Sequence, residues 1–170
     1  LVEGVLDKEA GGAIAVFRSL VKHQSGDYLD PILMTGSTVL VDDDLSSQFI
    51  ERATQWAKER ELSITFSVEE HDGYHEIHGR GKHWVPRYYS LMITESFQEG
   101  FTKCLVGTRG LLGEGWDASK INVLVDMTTV TTSMSINQLR GRSIRLDKEW
   151  KEKVANNWDI ICVADEFTKG

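Results

Sequence analysis

The chain has 170 residues, a formal net charge of −7 and a pI near 5.2. Its length fits one domain with a buried core, and 41% hydrophobic with 26% charged residues is typical of a globular protein. No apolar run approaches the roughly 20 residues of a membrane span, so we expect no membrane contact. The acidic balance argues against a stand-alone nucleic-acid binder, which neutralises phosphates with Lys and Arg, although an acidic module can supply one wall of a groove.

The start of the chain and its cysteines bear on where the protein works. The chain begins at Leu1 without a methionine, which favours a fragment of a longer protein, and no signal peptide opens it. Cys104 and Cys162 each lie in an apolar run typical of a buried strand. We therefore expect reduced core thiols and a cytoplasmic location.

Helices and strands are predicted to alternate along the chain. Apolar residues at helical spacing predict helices up to about residue 24, over 44–61 and over 87–100, the last capped by Gly100. Extended apolar or alternating runs predict strands within 30–41 and at 62–68, 103–108, 121–128 and 158–165. Residues 69–88 hold three glycines and a proline and are predicted to be an irregular loop or insertion. The alternation predicts a single α/β domain over residues 1–170 with a mainly parallel sheet.

Two clusters raise the question of a metal ion. Asp42 to Asp44 precede the second helix, and we interpret them as an N-cap with favourable charge rather than as ligands. Four of the five histidines lie within residues 71–83, where the intervening glycines argue against a continuous helix and so against a preset ligand face. A flexible surface insertion, a loop that faces nucleic acid with Arg80 and Trp84, and a zinc site are all open interpretations. We predict no metal site.

A glycine-rich stretch follows the predicted strand at 103–108. In parallel α/β sheets ligands bind beyond the carboxyl ends of strands, and "GTRGLLGEGWDA" occupies that position. It has glycines at 107, 110, 113 and 115, with Glu114 and Asp117 beside them. Glycines let the backbone approach a ligand and present N–H groups to phosphates, while a long turn that needs positive φ angles is an equally open explanation.

Three arginines lie in "QLRGRSIRL", residues 138–146. At about 100° per residue on a helix, Gln138, Gly141, Arg142 and Arg145 fall on one side. The other side is apolar and is predicted to face the core: Ile136, Leu139 and Ile144. Arg140 lies apart and needs a separate explanation, such as a surface or inter-domain contact. Two guanidinium groups that converge beside a glutamine, with a glycine leaving space, suit the oxygens of a phosphate.

These residues resemble motifs of one family. Gln138-x-x-Gly141-Arg142-x-x-Arg145 resembles motif VI of superfamily-2 helicases and DNA translocases, and "TRGLLGEGWD" at 108–117 resembles their motif V. "SFQEGFTKCLVGT" resembles the approach to motif V, and "ILMTGSTVLV" is similar to the loosely defined motif IV. The resemblance covers residues 30–165. It implies the second, C-terminal RecA-like domain of such an enzyme, a three-layer α/β fold whose mainly parallel central sheet is flanked by helices.

The resemblance implies a role in ATP hydrolysis for five residues. Arg142 and Arg145 would be arginine fingers that reach the γ-phosphate of ATP bound with Mg²⁺ on a partner domain. Gly115 and Asp117 would line the ribose side of that ATP, and Gln138 would contact the nucleotide.

The resemblance also implies contact with nucleic acid. Thr108, with the backbone near Gly107, and Thr35 from motif IV would hold phosphates of the tracked strand. The "GEGWD" form is closer to DNA translocases than to RNA-remodelling enzymes, so DNA is expected and RNA is the alternative.

Some motifs of the family are missing from the chain. There is no G-x-x-x-x-G-K-[ST] and no Walker B box, which belong to the first RecA-like domain. ATP and Mg²⁺ would therefore be bound mainly by an N-terminal RecA-like domain of the same longer protein, and the isolated fragment would be inactive. Two alternatives stay open: a degenerate RecA-like docking module without motor activity, and a metal-dependent nuclease that uses the histidines of residues 71–83 and nearby acidic residues.

Overall fold

The computed structural model describes residues 12–112, 116–128, 137 and 140–160. The chain divides into two compact units, the first ending at Leu112 and the second beginning at Gly113. No helix in the described ranges is long and apolar enough to cross a membrane.

The first unit is built around a five-stranded sheet in the order β3-β4-β2-β1-β5. Its strands are β1 Ile32–Met34, β2 Val39–Asp42, β3 Thr65–His71, β4 Tyr74–Arg80 and β5 Leu105–Gly107. Its helices are α1 Ala13–Val21, α2 Gly26–Leu29, α3 Ser46–Glu59, α4 Pro86–Gln98 and α5 Arg109–Leu112.

The strand directions contradict the predicted mainly parallel, three-layer RecA-like sheet. Strands β1–β2, β2–β4 and β3–β4 are antiparallel, and in this sheet only β1–β5 is parallel. For β1–β2 and β3–β4 the reason is the length of the connection. Thr35–Thr38 join β1 to β2 and Asp72–Gly73 join β3 to β4, whereas a parallel crossover needs a dozen or more residues. The apolar stretch at 30–41 is therefore mostly a hairpin, and the prediction of a mainly parallel sheet is wrong.

The irregular loop predicted over residues 69–88 is also wrong. Strand β3 continues to His71, Gly73 turns the chain with φ 78°, and β4 runs to Arg80 before α4 begins at Pro86. Gly73 suits this tight turn because glycine adopts positive φ without a steric cost. The segment is thus a regular hairpin with seven cross-strand pairs, followed by the first turn of a helix.

Two hydrophobic clusters form the core of the first unit. The larger one joins strand residues such as Ile32 and Ile77 to Phe49 of α3 and Ile93 of α4, all at most 2% exposed. The smaller cluster contains Phe17 of α1, Leu33 and Leu40. Each fully buried large side chain contributes about 1.5–3 kcal/mol, so the helices are stabilised mainly by the faces that they bury.

The two long helices agree with the sequence. The apolar face predicted for α3 is confirmed by the burial of Phe49, Ala53 and Trp56. Helix α4 ends at Gln98, and Gly100 follows with φ 82°, as expected for a glycine that terminates a helix. The helices are joined through Glu95, whose carboxylate accepts a hydrogen bond from Trp56 Nε1 at 2.6 Å.

The second unit contains a two-stranded parallel sheet of β6 Val123–Asp126 and β7 Asn156–Asp159. Burial on both faces was predicted for the strand at 121–128, but β6 alternates between exposed and half-buried residues. The last predicted strand starts earlier than expected, at Asn156, and residues 161–170 lie outside the described part, including Cys162. The other thiol, Cys104, is free and half-buried, and burial raises its pKa.

Candidate functional site

In the second unit, residue 137 and residues 140–143 of the arginine segment are helical, and residues 140–143 form the last turn. The hydroxyl of Ser143 is fully buried, contacts the carbonyl oxygen of Arg140 at 2.9 Å and lies 2.6 Å from Oδ1 of Asn157 in β7. These contacts attach the turn to the strand. They place Arg142, the residue before Ser143, in a defined position.

Arg142 is a buried arginine without acceptors for part of its guanidinium group. Its residue exposure is 8%, and among the described residues its Nε and Nη1 atoms have no hydrogen-bond partner. The centroid of the Trp116 ring lies 6.0 Å from the guanidinium carbon. That is the outer limit of a cation–π contact, so it offsets little of the cost of burying the charge.

The electrostatic surroundings make the positive charge on Arg142 costly. Burial lowers the pKa of the Arg142 guanidinium, and the nearby charge of Arg145 lowers that pKa further. The carboxylate of Asp117 acts in the opposite direction but is the smallest of the three effects. An anion placed against Arg142 would offset both the desolvation and the repulsion.

Arg145 and Asp117 form an ion pair. Their side chains are 49% and 66% exposed, so the pair contributes about 0–1 kcal/mol to stability. Lys153 fixes the backbone beneath the pair, because its Nζ donates to the carbonyl oxygens of Arg145 at 2.8 Å and Ser119 at 2.6 Å. A guanidinium has five N–H donors, so Arg145 can bind an anion as well as Asp117.

Arg140 has a role of its own. Its guanidinium forms an ion pair with Asp159 at the end of β7. Its Nε atom is buried and, like Nε and Nη1 of Arg142, has no hydrogen-bond partner among the described residues. The described part of the segment departs from the prediction in one respect, because Ile144 is 62% exposed and does not face a core. Gln138 and Gly115, both predicted to contact the nucleotide, lie outside the described residues.

The residues predicted to hold a nucleic-acid strand lie together in the first unit. Strands β1 and β5 are parallel neighbours, and Met34 is paired with Gly107. Thr35 and Thr108 therefore follow the carboxyl ends of adjacent strands. Their role in binding nucleic acid stays a prediction, and most of the sheet around them is antiparallel.

The two threonines are positioned by local hydrogen bonds. The Oγ1 atom of Thr35 accepts from the N–H groups of Ser37 at 3.3 Å and Thr38 at 3.1 Å. A hydroxyl has one proton and two lone pairs. Both lone pairs of Thr35 Oγ1 accept hydrogen bonds from the backbone, so its proton can be donated to an outside acceptor. The carbonyl oxygen of Thr108 accepts from Leu111 and Leu112, both at 3.0 Å, and so begins the short helix α5.

Gly107 allows a close approach by the protein's own side chain. A Cβ atom there would lie 2.6 Å from Cδ1 of Leu112. Neither Gly107 nor Gly110 has a positive φ angle, so a turn that requires such angles does not explain these two glycines.

Trp116 and Lys153 were not predicted from the sequence to belong to the site. Trp116 stands inside the glycine-rich stretch, where its position before Asp117 was a usable signal. Lys153 belongs to no motif, and its contacts with Arg145 and Ser119 depend on tertiary structure.

A comparison of the chain with protein-family models, curated proteins and solved structures gave no match. No relative therefore supplies a function. A function can be proposed only from the chemistry of the side chains and from the motifs that contain them.

Proposed function

We propose that the chain is the part of a superfamily-2, nucleic-acid-dependent ATPase that supplies arginine side chains to ATP held on a separate P-loop domain. The observation that carries the proposal is the buried guanidinium of Arg142, whose Nε and Nη1 have no partner among the described residues, close to the charge of Arg145. Two converging cations without enough acceptors suit a phosphate group. The proposal rests on the motifs and on this chemistry, and not on the sheet.

Arg142 and Arg145 act on the transferred phosphate. In a phosphoryl-transfer transition state, negative charge is spread over the equatorial oxygens, and arginine donors stabilise that charge. Arg145 is held by Asp117 in the absence of ATP and binds the γ-phosphate when ATP brings the P-loop domain close. Mg²⁺ is held by the P-loop domain, while Gly115, Asp117 and Gln138 serve the nucleotide side of the site.

The threonines bind the polynucleotide. Thr35 and Thr108 follow adjacent parallel strands, so both are available to one stretch of sugar–phosphate backbone. Such contacts position a strand without reading its sequence, which is what a translocating enzyme requires. DNA is the proposed polymer because of the form of the glycine-rich motif.

The test is DNA-stimulated ATPase activity of the full-length protein that contains this chain. Arg142→Ala and Arg145→Ala should each lower kcat by about 10³–10⁵-fold, the range associated with arginine fingers, with ATP binding largely retained. The matched control is Arg140→Ala, which removes an arginine from the same turn but one that is paired with Asp159. That variant should keep its turnover, because the Arg140 guanidinium is engaged by Asp159 and is not one of the two groups proposed to meet the phosphate, and the lost exposed pair costs only about 0–1 kcal/mol of stability.

Two results would overturn the proposal. One is unchanged turnover in both Arg142→Ala and Arg145→Ala. The other is an equal loss in Arg140→Ala, which would assign the effect to general basic charge. The isolated chain serves as a further check, since it should hydrolyse ATP at a negligible rate without a P-loop domain.

A further inference from the structure

One face of the β3–β4 hairpin carries four side chains that commonly bind metal ions. The register pairs Glu69 with Glu76 and Ser67 with His78 across the two strands. Because side chains alternate along a strand, His71 lies on the same face as Glu69, and His78 on the same face as Glu76. Two carboxylates and two imidazoles thus share one face of the hairpin.

The ligand atoms of three of these residues are already close together. One atom each from Glu69, His71 and Glu76 lie within 4.8 Å of one another. Ligands around a tetrahedral zinc ion, each about 2.0–2.1 Å from the metal, are separated by about 3.3 Å. Glu69 and His71 are exposed and Glu76 is half-buried, so small side-chain rotations are enough to close that difference.

The two carboxylates on this face would be stabilised by a bound cation. Glu69 and Glu76 are directly opposite each other in an antiparallel pair, an arrangement in which like charges are destabilising. In the described ranges neither carboxylate has a Lys or Arg partner, and the recorded neighbours of Glu69 are His71 at 3.6 Å and His78 at 3.2 Å. A divalent ion would convert the repulsion into attraction.

Two contacts orient the ligands before a metal binds. The ring of His71 stacks on that of Tyr74, with centroids 4.9 Å apart and an interplanar angle of 16°. Nε2 of His78 lies 3.2 Å from Oε2 of Glu69, the kind of hydrogen bond that orients a ligating carboxylate. The sequence spacing alone gave no ligand face, and strand pairing is what creates one.

We propose that Glu69, His71 and Glu76 bind Zn²⁺ and that His78 orients Glu69 by hydrogen bonding. One imidazole and two carboxylates suit zinc, whereas Mg²⁺ and Ca²⁺ prefer oxygen ligands throughout. Three protein ligands leave a position for water. The site lies in the first unit and is independent of the arginines and of the proposed ATPase activity.

The test is zinc titration of the full chain, purified without a polyhistidine tag and treated with a chelator. Competition with a chromophoric chelator should show saturable binding of one Zn²⁺ per chain. His71→Ala and Glu76→Gln should weaken binding by more than about 100-fold, and His78→Ala by about 10–100-fold, the range for a residue that orients a ligand. His75→Ala is the matched control, because His75 is on the same strand but bonds to Ser46 on the opposite face.

The proposal would be overturned if the wild type did not bind zinc, or if His71→Ala and Glu76→Gln bound zinc as tightly as the wild type. It would also be overturned if His75→Ala weakened zinc binding as much as those two substitutions. Glu76→Gln preserves size and backbone pairing, so it decides the matter if His71→Ala fails to fold. A second measurement is the thermal unfolding midpoint, which zinc should raise in the wild type and in His75→Ala but not in Glu76→Gln. None of these measurements uses ATP or DNA, so failure here leaves the proposed ATPase role to its own test.

Discussion

Asp42→Asn should stabilise the protein at neutral pH. Asp42 is the last residue of β2 and is only 6% exposed. Burial is the largest cause that raises its pKa, from 3.8 to about 6, with the side chain of Asp43 next. The backbone N–H of Asp44, 3.4 Å from Oδ1, opposes the rise but is weaker than burial.

The sign and size follow from proton linkage. Between pH 3.8 and about 6 the folded protein holds a proton that the unfolded chain has released, so the stability contributed by this group falls as the pH rises through that window. Above the window the ionised carboxylate costs up to about 3 kcal/mol, at about 1.4 kcal/mol per tenfold change in proton affinity. We expect Asp42→Asn to recover about 1.5–3 kcal/mol, because the amide must still find partners when buried.

The measurement is the free energy of unfolding in denaturant as a function of pH, for the wild type and Asp42→Asn. The difference should be largest above pH 6 and should shrink towards zero below pH 3.8, where both side chains are neutral. Asp72→Asn is the control, since its side chain is 93% exposed and a surface change is typically within about 0.5 kcal/mol. A difference that stays constant with pH, or a destabilised Asp42→Asn above pH 6, would refute this reasoning.

Two further substitutions test local geometry by the same unfolding measurement. Gly81→Ala should cost about 2 kcal/mol or more, because φ is +132° and a Cβ would lie 2.4 Å from the carbonyl oxygen of Ser63. Gly36→Ala, with nothing within 4 Å, should change stability by less than about 1 kcal/mol, and similar losses at both glycines would contradict the explanation. Glu95→Ala should cost about 1–3 kcal/mol by removing the acceptor of Trp56 Nε1, while Glu95→Gln, which keeps an acceptor, should cost less.

Local signals in the sequence were sufficient for the long helices. The amphipathic period over α3 and the glycine after α4 depend on residues a few positions apart, and both predictions are confirmed. Strand direction depends instead on which strands become neighbours. The sequence predicted that strands alternate with helices, whereas the structure has the hairpins β1–β2 and β3–β4. The predicted strand at 62–68 ended before β3 does, because the second half of β3, up to His71, is polar and lacks an apolar alternation.

The sequence grouped Arg142 with Arg145 by helical spacing, but it did not predict the ion pair between Arg145 and Asp117, because that contact depends on tertiary structure. The exposure of Ile144 was not predictable, because the helix expected over the whole segment ends at Ser143. The proposed zinc site on the hairpin could not be predicted from the sequence either. Its side chains share one face only because β3 and β4 are paired.

The parallel pairing of β1 with β5 has a consequence for how the first unit folds. Ile32 pairs with Leu105, so the loop that must close spans residues 33–104, whereas the β1–β2 hairpin closes over Thr35–Thr38. Loop-closure entropy makes the long-range pairing about 2.5 kcal/mol more costly to initiate than the hairpin. Contacts of high sequence separation form late for this reason. The ends of β1 and β5, which Thr35 and Thr108 follow, are therefore brought together only after the hairpins and helices between them can offset that entropy, and in a nascent chain this edge of the sheet is absent until β5 has been synthesised.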